Sequence, residues 1–238
     1  MINRKSFVLS GENTLTGALE NIGTTHIVTG ARLSVSDGIN NILDIVNDGV
    51  LEITGGNSFN GGTITGGVKF GGTASLENSG TIDSIEDSEF TGSRQAALVN
   101  SGKIERLSNV VVNGLFENTL GSVFVENNLS ATRTINDASL SFNGVTYTGI
   151  MQKRSRLNTS GDNVVSGGVL KNTGLINVDG GSLTLKDGLD NASVILNSGV
   201  LTIAGTSSNS GFISGDITVG DGSDSTFSNN GYVMGKTC

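Results

Sequence analysis

One phrase recurs along this chain: an apolar residue, a spacer, Asn-x-Gly, and then a short alternating run. It reads "IVNDGVLEITGG" from Ile45, "LENSGTIDSI" from Leu76, "LVNSGKIERL" from Leu98, "LKNTGLINVDGG" from Leu170 and "ILNSGVLTIAG" from Ile195. The asparagines of the phrase are Asn21, Asn47, Asn78, Asn100, Asn172, Asn197, Asn209 and Asn229. Their spacing gives an imperfect period of about 20–30 residues, the range of solenoid repeats. Between them, Leu33 and Val35, Leu51 and Ile53, Leu140 and Phe142, Leu183 and Leu185, and Leu201 and Ile203 alternate with polar residues before a turn. Period-two alternation closed by Gly, Asn or Asp is a strand followed by a corner. No sustained helical stripe interrupts it.

A unit of this size cannot close a core alone, so its neighbours must cover it. Wound as a coil and stacked, each unit pairs its strands with the coils before and after it. Asn at a repeated corner can then bond to its equivalent one coil on. Composition agrees. The 36 glycines among 238 residues are roughly twice ordinary usage, and proline, which would remove a ladder donor from a strand paired on both sides, is absent. These features predict an all-β chain: one right-handed parallel β-helix domain over 1–238, with about ten coils of about 24 residues.

Charge and chemistry narrow the function. A net charge of −8 argues against nucleic acid as a partner, because phosphate binding needs a basic face. No apolar run approaches a membrane-spanning length, and "MINRKSFVLSGENT" lacks a signal-type apolar core. His26 is the only histidine and Cys238 the only cysteine, so nucleophile–base sets and zinc sites lack their ligands. Asp179, Asp187, Asp190, Asp221 and Asp224 are the right ligand type for calcium, but they lack both known calcium-loop spacings. Glu86, Asp87 and Glu89 could supply paired carboxylates for glycoside cleavage, though an acidic turn explains them as well. Ice binding needs Thr at a fixed place in each unit, and Thr14 and Thr63 do not establish one. The expectation is a non-enzyme without metal or cofactor.

One segment breaks the rhythm. In "YTGIMQKRSRLNTSGDN", Lys153, Arg154 and Arg156 crowd together in a chain with only 14 Lys and Arg. Residues 147–163 are expected to form a protruding loop or a junction, and these three side chains are either a solvated charged surface or the candidate contact for acidic glycans or anionic lipopolysaccharide.

The phrases "LENSGTI", "LVNSGKI", "LKNTGLINV" and "ILNSGVLTI" resemble the passenger regions of bacterial autotransporters and haemagglutinin-type adhesins. That resemblance implies a surface-exposed, extracellular β-helix mediating adhesion or aggregation on host-cell, matrix or bacterial glycans or proteins. It also implies export as part of a longer protein, of which this chain is expected to be a fragment. End-to-end self-association through exposed strand edges is a further expectation. The alternative is a phage tailspike or tail-fibre segment that binds or hydrolyses surface polysaccharide.

Overall fold

The computed structural model describes residues 1–92, 95–220 and 224–238. Among them there is no helix. Short strands pair in parallel, each with its equivalent one turn further along the chain, which makes a β-solenoid. The turns number about 13 rather than about ten. The ladder asparagines fall 18 to 22 residues apart, so the repeat is shorter than the Asn-x-Gly spacing suggests. The chain divides into two compact units, Met1–Val123 and Phe124–Cys238.

In the first unit, strand Leu19–Asn21 pairs with Ile39–Asn41, Thr24–Ile27 with Asp44–Asn47, and Arg32–Val35 with Val50–Ile53. Each of these strands turns alternate side chains inward. One inward column runs Ile45, Ile64, Ile82, Ile104, and another runs Leu33, Leu51, Val68, Ile85, Leu107. All are buried. Phe70 and Phe90 stack in this core with ring centroids 4.9 Å apart.

A third inward column is polar. Asn3, Asn21, Asn41, Asn60, Asn78, Asn100 and Asn118 are buried, and each Nδ2 donates to the Oδ1 of the next, over 2.7–2.9 Å. The remaining amide capacity goes to backbone: Asn78 Nδ2 also reaches the carbonyls of Gly80 and Lys103, both at 3.2 Å. The Asn-x-Gly phrase has this physical origin. The asparagine holds the corner and the glycine carbonyl accepts from it. A Cβ on Gly80 would stand 1.9 Å from the Gly62 carbonyl oxygen, so the corner can lie tight against the turn before it only without a side chain.

The second unit repeats the plan. Leu140, Leu157, Ile176, Ile195 and Ile213 form one inward column, and Tyr147, Val165, Leu185 and Ile203 another. Asn172, Asn191, Asn209 and Asn229 continue as a ladder with 2.6, 2.6 and 2.8 Å bonds.

Candidate functional site: a cationic groove beside an interrupted ladder

The basic segment is not a protruding loop. Ser139–Lys153 and Arg156–Ser160 are strands joined by a tight turn at 154–155, and they pair in register with the following turn. Lys153 pairs with Asn172, so it occupies the ladder position itself. It is fully buried, which removes it from any exposed basic patch. Its Nζ takes over the asparagine's donor role, bonding Asn172 Oδ1 at 3.1 Å and the carbonyl of Ser155 two residues on. An ammonium has donors but no acceptor, so it offers nothing in place of the Oδ1 that a ladder asparagine presents to the turn before it. Burial first, and the Arg156 charge second, lower its pKa from the ordinary 10.5 to about 7.

Arg154 stays at the surface. One guanidinium nitrogen lies 3.5 Å from Asp137 Oδ2 and the other 3.5 Å from Gln152 Oε1. The same Gln152 oxygen accepts from Arg133 Nη2 at 2.6 Å. Gln152 faces Lys171 across the strand pair. Arg133, Gln152 and Lys171, with Ile150 and the 167–169 turn, line a groove of about 480 Å³. A hollow of about 200 Å³ beside it shares Gln152 and Lys171 and adds Lys153, Arg154 and Thr173. Gly167 keeps this groove's floor close to the turn before it. It has a φ of 89°, and a Cβ there would meet Gly149 N at 2.5 Å.

The structure therefore joins Arg154 to Arg133 and Lys171, which the sequence reading did not single out, and puts Lys153 underneath. Arg156 is exposed on the following strand and does not line the groove. Counting about one turn on from Gln152 would have found Lys171.

No family model, curated protein or solved structure matches the chain.

The support below the groove includes Tyr147, which is fully buried and stacked on Phe142 with centroids 6.1 Å apart. Its hydroxyl lies 2.9 Å from the Thr134 hydroxyl and donates to the Ile150 carbonyl at 3.2 Å. Burial raises its pKa to about 12, opposed in part by the Thr134 bond. Tyr147→Phe is expected to cost about 1–2 kcal/mol, because it leaves buried partners without the hydroxyl. Urea unfolding followed by circular dichroism would measure it.

The other candidates are placed apart from this groove. Glu86 pairs with Arg106, Asp87 accepts from Asn109 at 3.1 Å, and Glu89 accepts from Asn113 at 2.6 Å, so each carboxylate is tied to a residue about one turn on. His26 Nε2 lies 2.8 Å from Asp48 at the surface, and Cys238 is exposed. Asp187 accepts from Gly167 N and Asp190 from the Ser208 hydroxyl. Among the described residues no three His, Cys, Asp or Glu side chains gather as a metal site; Asp221 lies outside those residues. Threonine recurs at one register over three turns only, so among the described residues no threonine row runs through every unit. Thr184, Thr202 and Thr218 stack on successive turns, following Val164. It is a single column, flanked two residues earlier by Ser182 and Val200 rather than by a second threonine row.

Proposed function

We propose that this chain is a non-catalytic structural and adhesive β-solenoid, carried at a bacterial cell surface within a longer protein. Its partners would be glycans or proteins on host cells, matrix or other bacteria. One observation carries this reading most directly. Between the constant inward positions, the outward row Glu20, Asn40, Phe59, Glu77, Val99, Glu117 changes character at every turn. Stacking is carried by inward residues, and the outward face is left free to present varied chemistry. That division suits a display scaffold, in which recognition comes from surface positions that fold stability does not constrain. The resemblance of the repeated phrases to adhesin passenger regions supports the same reading.

The test is retention of microspheres coated with the full chain on epithelial cells, matrix proteins and bacterial lawns. Several-fold greater retention than with an inert protein coat is expected on at least one surface. Background retention on all of them, or release of reducing sugar from surface polysaccharide by the soluble chain, overturns the reading; the second outcome would favour a tailspike-type hydrolase.

A further inference from the structure

We infer that the groove lined by Arg133, Gln152 and Lys171, together with Arg154 in the adjoining hollow, binds an anionic polysaccharide through its carboxylate or sulfate groups. The inference names a ligand for the adhesive reading and rests on it only for biological use. The chain is acidic overall, at −8, yet three cations meet here around a neutral amide. Gln152 Oε1 holds the Arg133 guanidinium at 2.6 Å and that of Arg154 at 3.5 Å. It orients both without cancelling their charge, and each guanidinium keeps further N–H donors in the planar fork that suits carboxylate and sulfate. Lys171 lies one strand spacing away, about 4.8 Å, and adds a mobile ammonium.

Nearby acids temper the site without filling it. Asp137 lies 3.5 Å from Arg154, and Asp190, next to Lys171 in register, accepts from Ser208. Asp187 is engaged by the Gly167 amide. The groove volume of about 480 Å³ falls within the range of small-ligand sites, and suits one or two sugar rings, with the adjoining hollow for a neighbouring unit. One further point favours a glycan over a nucleic acid. The apolar side chains lining the groove are Ile150 and Val169, which give no aromatic platform for base stacking.

The experiment titrates the full chain with fluorescent hexasaccharides: a heparin fragment (sulfated), an oligogalacturonate (carboxylated) and maltohexaose (neutral), plus a single-stranded oligonucleotide. Binding of a charged sugar, weakening with salt, is expected. Arg133→Gln with Lys171→Gln should lower that affinity about tenfold or more, while Lys69→Gln, in the other unit, should not change it. The heparin and galacturonate arms distinguish sulfate from carboxylate as the recognised group. Unchanged affinity in the double variant, equal binding of maltohexaose, or tighter binding of the oligonucleotide overturns the inference. Microsphere retention separates the two claims. Retention that survives the double substitution, together with unchanged sugar binding, removes the groove and leaves the adhesive reading. Sugar binding lost in the variant by a chain that never adheres keeps the groove and removes the adhesive reading.

Discussion

Asn78→Asp is expected to destabilise the first unit by about 4 kcal/mol at neutral pH, with partial recovery in acid. The substitution changes almost no volume, so it tests bonding rather than packing. Asn78 is fully buried, accepts from Asn60 Nδ2 at 2.8 Å, and donates to Asn100 Oδ1 at 2.8 Å and to the carbonyls of Gly80 and Lys103. A carboxylate keeps the first bond and turns the other three into contacts between oxygens. The charge has no cation to pair with in the ladder, so folding favours the protonated acid. Its folded pKa would be raised above the ordinary value near 3.9. The folded state then binds more protons than the unfolded chain, and stability is regained as pH falls through the raised value. Asn78→Ala loses the same donor bonds and should cost about 3 kcal/mol, with no such recovery. Denaturant midpoints of the three proteins at pH 7 and pH 4.5 decide the matter. A near-neutral Asn78→Asp would mean that the ladder contributes little beyond filling space.

The legible part of this fold was the part carried by strict local pattern. Leu33, Val35, Leu51, Ile53, Leu140, Phe142, Leu183, Leu185, Leu201 and Ile203, picked by alternation, are all buried. The asparagine ladder also follows from the repeated corner. The period was harder to read, because two corners carry asparagine. Asn47 and Asn197 close the second strand of a turn, where their amides bond the carbonyls of Gly67 and Asp216. Asn21, Asn78, Asn100, Asn172, Asn209 and Asn229 close the first. Mixing the two rows lengthens the apparent repeat. Several true ladder members also lack the glycine: Asn41 is followed by Ile42-Leu43 and Asn191 by Ala192-Ser193. Asn60, followed by Gly61-Gly62, also fits the phrase and lies between Asn47 and Asn78. With the wrong period, the basic run at 153–156 had no assigned place and read as a loop. With a spacing of 19 it aligns Lys153 with Asn172, and burial follows from the column. The groove was less legible still, because it depends on Arg133, Gln152 and Lys171 meeting across turns rather than along the chain.

Lys153 yields the complementary prediction, a substitution that stabilises. Lys153→Asn restores an amide with both acceptor and donors to the only described ladder position that lacks one, and removes a buried ammonium that faces only neutral acceptors and the charge of Arg156. A gain of about 2–3 kcal/mol is expected at pH 6. The pH dependence identifies the cause. In the folded chain Lys153 titrates at about 7, against 10.5 ordinarily. Between those values the unfolded state holds a proton that the folded state has released, so the stability of the native sequence climbs with pH, by at most about 1.4 kcal/mol per unit. Below pH 7 both states are charged and the penalty is complete. Above pH 10 the direction reverses for a separate reason. Tyr147 keeps its proton in the folded state to about 12, while the unfolded phenol ionises near 10, so stability falls there. Lys153→Asn should lose the climb between pH 7 and 10 and keep the fall above it. Its advantage over the native chain should therefore be largest at pH 6 and shrink steadily towards pH 10. Lys153→Met provides the control, because it also removes the climb but leaves Asn172 Oδ1 with the Gly174 amide alone as donor, and so should gain less than the asparagine. Equilibrium unfolding of the three chains at pH 6, 8 and 9.5 separates these cases. An advantage for Lys153→Asn that does not change with pH would show that the native ammonium is already solvated within the ladder.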